Sequence, residues 1–165
     1  MSPFSGYTVC MSATFDKIDR AIVKWMAANG ITVLRLSLGI VFFWFGVLKY
    51  FPNQSPAEKM ASDTILVLTF GHIGPHVSLP ILATWECLIG LGLIAGVAKR
   101  VTLFLLFAQM LGTLLPLFFF PSQTFESIPF VPTLVGQYII KNLVLISAGI
   151  VIGATVRGGA ARDRV

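Results

Sequence analysis

Long apolar runs separated by short polar or basic junctions dominate the 165-residue chain. Residues 31–51, 80–98, 101–120 and 134–156 form four such runs. Each is close to the roughly 20 helical residues that a bilayer core of about 30 Å requires. Ahead of them, Phe15, Ile18, Ile22 and Met26 share one helical face with Trp25 at its edge, while Asp16, Asp19, Arg20 and Lys24 lie elsewhere. That segment is too short to span, and it predicts an amphipathic helix lying in the interface over residues 15–29, broken at Gly30. Residues 1–14 are small, polar and unpatterned, and predict a flexible cytoplasmic tail.

The junctions carry their own signals. Pro52-Asn53 ends the first run, and Ser55-Pro56-Ala57-Glu58 has the form of a capping box with proline at the first helical position. Ala57, Met60, Ala61, Thr64, Ile65 and Leu68 follow at amphipathic spacing. They predict a short extracytoplasmic helix between spans 1 and 2, ending near Gly71. The link from Gly71 to Leu79 holds His72 and His76, with Gly74-Pro75 between them. That dipeptide argues against a helical i,i+4 metal pair, so these two are weak metal candidates and read as ordinary loop histidines. Pro116 predicts a kink in the third span. Residues 121–132 carry Glu126, three prolines and no Lys or Arg. The expected fold is an all-α integral membrane four-helix bundle over residues 30–157, followed by a basic cytoplasmic tail over 158–165.

Composition strengthens this reading. The chain is 56% hydrophobic and 12% charged, with mean hydropathy +0.85, whereas soluble domains carry about 25% charged residues. The net charge of +5 sits mainly at the ends of apolar runs, which speaks for membrane topology and anionic lipid head groups rather than nucleic acid. Lys17, Arg20 and Lys24, then Lys99 and Arg100, then Arg157, Arg162 and Arg164 fall on one side; Lys49 and Lys59 fall on the other. Both termini are therefore expected in the cytoplasm of a bacterial inner-membrane, multi-pass protein. Cys10 and Cys87 offer neither a disulfide framework nor zinc-type spacing, and Cys87 reads as a small buried hydrophobe. The first long run is too long for a signal peptide and lacks a small-residue cleavage site, so it reads as a retained span.

Candidate chemistry lies inside the spans. Glu86 interrupts the second, at a cost of about 2.5–3.5 kcal/mol on insertion scales, so it calls for a partner or a task. Lys141 in the fourth span is the expected partner. Gly92/Gly96 and Gly149/Gly153 form two GxxxG pairs. If those faces meet, Glu86 and Lys141 emerge on the same side of parallel helices, each roughly 10 Å inside the outer end. Gly90, Gly92 and Gly96 spell GxGxxxG, but no strand precedes them, so nucleotide binding is not expected. On the first span, Arg35, Gly39, Phe42, Gly46 and Lys49 form one stripe; on the third, Thr102, Gln109 and Thr113 do. The candidate ligand-binding residues are Glu86, Lys141, Lys49, Gln137, Thr113, Gln109 and Arg35, with Trp85 and Asn142 flanking the pair. Two readings stand open: a polar clamp that sets helix register, or an outer-leaflet site for a polar head group or protons.

Leu34 to Pro52 (LRLSLGIVFFWFGVLKYFP), the glycine-rich span around Glu86 and Tyr138 to Ile152 (YIIKNLVLISAGIVI) resemble the DoxX-like group of small bacterial membrane proteins. The first span is especially similar to the reactive-chlorine-resistance membrane proteins of that group. The order Arg35, Lys49, Glu86, Lys141 supports the resemblance. It implies a four-helix inner-membrane bundle linked to oxidative stress or quinone-coupled redox chemistry. Some members are subunits of thiosulfate:quinone oxidoreductases, and others are membrane partners or assembly factors. The implied role is a subunit or accessory of an oxidoreductase rather than a stand-alone enzyme. A quinone is the candidate cofactor, with no covalent one expected. Candidate partners are membrane lipids, a redox protein and further copies of the chain.

Overall fold

The computed structural model describes residues 13–51, 54 and 58–157. The expected tails at 1–12 and 158–165, with Cys10, Arg162 and Arg164, lie outside the described residues, as do Pro52-Asn53 and the first three positions of the expected capping box.

Helix α1 runs unbroken over Ala13–Leu48. The break expected at Gly30 is absent: a glycine costs a helix only about 1 kcal/mol, too little by itself to stop a long one. Its 36 residues are more than the roughly 20 that a hydrocarbon core requires. The division between two compact units falls inside it, between Val33 and Leu34. In the first unit Arg20 Nη2 lies 3.7 Å from Asp16 Oδ2, one turn back, and Phe15, Ile18, Ile22, Trp25 and Met26 are exposed.

The second unit holds the remaining elements. Helix α2 (Glu58–Leu68) buries Met60, Ser62 and Thr64 and packs on α3 (Pro75–Ala95). The latter begins five residues earlier than expected, because Gly74 supplies an extended cap position and Pro75 the first helical residue. Pro80 is thus an interior proline. At its other end Gly96 takes φ 70°, a left-handed conformation suited to glycine, and its N–H donates to Gly92 O. Helix α4 (Lys99–Leu114) follows; Pro116 interrupts it and opens the short α5 (Pro116–Phe119).

Helix α6 (Pro121–Thr124) leads into an antiparallel two-stranded hairpin, β1 (Phe125–Ser127) and β2 (Val131–Pro132). Its strands are too short to show in the sequence pattern. The last span is α7 (Leu134–Ala154), whose cap Thr133 accepts a hydrogen bond from Gly136 N at 3.2 Å. Helices α1, α3, α4 with α5, and α7 are each long and apolar enough to cross a membrane.

The core is one cluster: Leu38 and Phe42 from α1, Ile89 and Leu93 from α3, Leu103, Leu106 and Met110 from α4, and Ala148 and Ile152 from α7. Phe104, Leu111, Val144 and Ile150 face outward and exposed, as lipid-facing side chains should in a bundle whose solvent is hydrocarbon. Helix α4 packs on both α3 and α7.

This corrects the expected glycine seam. A Cβ on Gly92 would strike Thr102 of α4, and one on Gly149 would lie 3.1 Å from Leu106 Cδ2 of the same helix. Gly92 and the Gly149/Gly153 pair therefore meet the third span, while Gly96 meets Arg35 of the first, and the two GxxxG pairs do not meet each other. Between α1 and α3 the contact is with backbone: a Cβ on Gly90 would lie 2.5 Å from Phe43 N, and one on Gly46 would lie 2.9 Å from Cys87 N.

Candidate functional site: a buried ion pair between three spans

That close approach builds the site. Gly46 brings the α1 backbone against α3 at Glu86 and Cys87. Three residues later, just past the end of α1, Lys49 turns its side chain onto the same level. Its Nζ donates to Glu86 Oε2 at 2.6 Å, and Gln109 Nε2 of α4 donates to Glu86 Oε1 at 3.0 Å. Lys49 Nζ also reaches Phe45 O at 3.4 Å, a carbonyl in the last turn of α1 where a cation is favoured. The Lys49 and Glu86 side chains are only 7% and 9% exposed. Both carboxylate oxygens are satisfied, and three spans share one buried ionic cluster.

Lys141 is not part of it. It is exposed on α7, its Nζ 5.5 Å from the centroid of its neighbour Tyr138. The expected Glu86–Lys141 pair assumed that α3 and α7 meet through their glycines. Because α4 lies against Gly92 of α3 and Gly149 of α7, and α1 against Gly90 and Gly96, Glu86 turns to the α1 stripe and finds Lys49. Its depth also differs from expectation: with α3 starting at Pro75, Glu86 lies near the helix midpoint, about 16 Å from its start.

The other candidates separate into distinct places. Asn142 Nδ2 donates to Thr113 Oγ1 at 3.1 Å, tying α7 to α4. Trp85 Nε1 donates to Leu105 O at 3.1 Å and packs against the core. Gln137 is exposed on α7. Arg35 lies near the opposite end of its stripe from Lys49, where its Nη1 donates to Leu93 O and, at 3.0 Å, to Ile94 O at the end of α3. It serves the last carbonyls of a helix rather than Glu86. His72 Nδ1 lies 2.7 Å from Thr69 O, while His76 sits in the first turn of α3.

Sequence reasoning missed one further tie, Tyr50 Oη to Thr84 Oγ1 at 2.7 Å. Its signal was present: Tyr50 follows Lys49 and Thr84 lies two residues before Glu86, so neighbouring levels of the same two helices meet.

The DoxX family model matches residues 30–121. That is more than half of the chain, and it takes in Arg35, Lys49, Glu86 and Gln109. The chain belongs to the DoxX family. It is a multi-pass membrane protein of that family, with the matched segment ending before α7 and Lys141. No curated protein and no solved structure matches this DoxX chain.

Proposed function

We propose that this DoxX protein is a bacterial inner-membrane subunit or accessory of quinone-linked redox chemistry or oxidative-stress defence, and that the Lys49–Glu86–Gln109 cluster is its polar centre. The observation that carries the reading is the 2.6 Å pair between two charges less than a tenth exposed, inside the family's matched segment. Ionic groups at membrane depth are retained for a task more often than in soluble cores. An ammonium has three N–H groups, and Lys49 has two acceptors among the described residues, Glu86 Oε2 and Phe45 O. The third can serve a polar oxygen on an amphiphile such as a quinone carbonyl, with Glu86 as proton acceptor beside it.

The likeness of the first span to reactive-chlorine-resistance membrane proteins points toward oxidant defence. The cation asymmetry along the chain favours cytoplasmic termini, which would turn α2 and the hairpin toward an extracytoplasmic redox partner.

A second reading has its own observation. Both carboxylate oxygens are already bonded within the protein, as a register clamp in a non-catalytic scaffold or assembly partner would require. The Lys49→Met, Glu86→Gln double variant separates the two. Under the polar-centre reading it folds but loses co-purified quinone or lipid and no longer protects cells against oxidants. A well-folded double variant with full protection and unchanged quinone and lipid content would leave the clamp.

A further inference from the structure

A second feature lies away from this cluster, at the end of the bundle where α4 begins and α7 finishes. A cavity of about 400 Å³ opens there between the two helices, lined by Arg100, Leu103, Phe104, Phe107, Gly153 and Arg157 among others. Arg100 is the second residue of α4, and Arg157 lies just beyond the end of α7. Both are exposed, and neither takes part in an ion pair among the described residues. Below them the wall is apolar, with Phe104 69% exposed. The floor exists because residue 153 is glycine: a Cβ there would meet only Leu103 Cδ1, at 3.6 Å.

The arrangement is vertical as well as chemical. Arg100 stands in the first turn of a helix long enough to cross a membrane, the position where head groups are met, and Leu103, Phe107 and Gly153 lie further along the bundle in the direction of its apolar middle. Two guanidiniums can hold a phosphate through paired, charge-assisted hydrogen bonds. An apolar groove running down from them suits an acyl chain. The α4 N-terminus contributes in the same sense, since Ala98 provides no side-chain cap for its first N–H groups.

We propose that this groove is a binding site for one anionic phospholipid, its phosphate held between Arg100 and Arg157 and an acyl chain lying on Leu103, Phe104, Phe107 and Gly153. The two positive charges, with no carboxylate among the described residues of the lining, select a head group that is itself anionic, such as phosphatidylglycerol, over zwitterionic phosphatidylcholine. A free phosphate would use the arginines but leave the apolar wall uncovered.

The test is native mass spectrometry of the full chain in a mild non-ionic detergent, titrated with phosphatidylglycerol or with phosphatidylcholine. The wild type is expected to retain one phosphatidylglycerol preferentially. The Arg100→Gln, Arg157→Gln double variant should bind it roughly thirtyfold more weakly and lose the preference. Gly153→Leu keeps both arginines but fills the floor, and should lose the lipid as well. A Lys17→Gln, Lys24→Gln variant removes the same charge elsewhere and should bind as the wild type does.

Thermal unfolding in the same detergent checks each fold; should Gly153→Leu fail to fold, the arginine variant decides. Unchanged phosphatidylglycerol binding in the arginine variant overturns the proposal, as does equal loss in the lysine control. Displacement by soluble glycerophosphate at matched concentration would also overturn it, by showing an anion site without a lipid chain.

Discussion

Gly90 makes the tightest demand on the seam between α1 and α3. A Cβ there would stand 2.5 Å from Phe43 N, 2.6 Å from Phe43 Cβ and 2.7 Å from Phe43 Cα, where ordinary contact begins at 3.4 Å. Two of these neighbours are backbone atoms, so no side-chain rotation relieves the clash. Alanine at position 90 must therefore drive α1 and α3 apart by about 0.9 Å. A gap of 0.5–1 Å forfeits about a quarter to a half of each dispersion contact across the seam, and overpacking of this kind costs about 1–3 kcal/mol. Alanine returns up to about 1 kcal/mol in helix propensity, so the net change expected for Gly90→Ala is a loss of roughly 1–2 kcal/mol. Gly112 of α4 supplies the opposite sign, because nothing lies within 4 Å of a Cβ built there. Gly112→Ala should be neutral or stabilising by up to about 1 kcal/mol. Reversible unfolding of both variants in mixed micelles, titrated with a denaturing detergent, measures the difference directly. A Gly90→Ala protein as stable as Gly112→Ala would refute the close α1–α3 seam and the site built upon it.

Lys49→Met or Glu86→Gln alone leaves a buried partner unpaired and should cost about 3–5 kcal/mol; the double change should recover much of that, and additive losses in the same unfolding assay would show that the two are not coupled. Arg35→Gln removes the donor to Leu93 O and Ile94 O and should lower stability by about 1.5–3 kcal/mol, with faster amide exchange around Ala95 to Val97; unchanged exchange there would remove Arg35 from the helix end. Asn142→Leu breaks the link to Thr113 and should cost only about 0.6 kcal/mol, the usual worth of a hydrogen bond between spans, so a loss of several kcal/mol would mean the link does more than join two helices.

How far the sequence reveals this structure depends on what each pattern encodes. Run length and hydropathy located the four spans because a membrane span must satisfy its backbone within the helix. The stripe of Arg35, Gly39, Phe42, Gly46 and Lys49 was also legible, and the close approaches at Gly39 and Gly46 turn it toward α3. Which helix meets which was not legible. Leu106 and Leu111 have the same side chain, yet one is fully buried and the other 67% exposed. In lipid both environments accept leucine, so apolar periodicity does not assign neighbours. Pairing Glu86 with Lys141 rests on a neighbour assignment that apolar periodicity does not contain. The hairpin escaped for another reason: its paired segments of three and two residues are shorter than any period-2 signal.

The glycine seam and the charge pair belong to one design. The 2.6 Å contact between Lys49 and Glu86 sits beside the place where α1 and α3 nearly touch, an approach that a side chain at position 46 or 90 would force open. The lysine must also stand about one turn beyond the point of closest approach, because its long stem has to descend to the carboxylate rather than collide with it; Lys49 lies three residues after Gly46. Gln109 then fixes the third helix to the same carboxylate, through α4, the helix that the glycines of α3 and α7 both accept. Removing the charges while keeping the glycines, as in the Lys49→Met, Glu86→Gln variant, should therefore leave the seam intact. Removing a glycine while keeping the charges should open the seam and weaken the packing around the pair. This asymmetry makes the charge pair the part of the site that can be given over to a ligand, and the glycines the part that cannot.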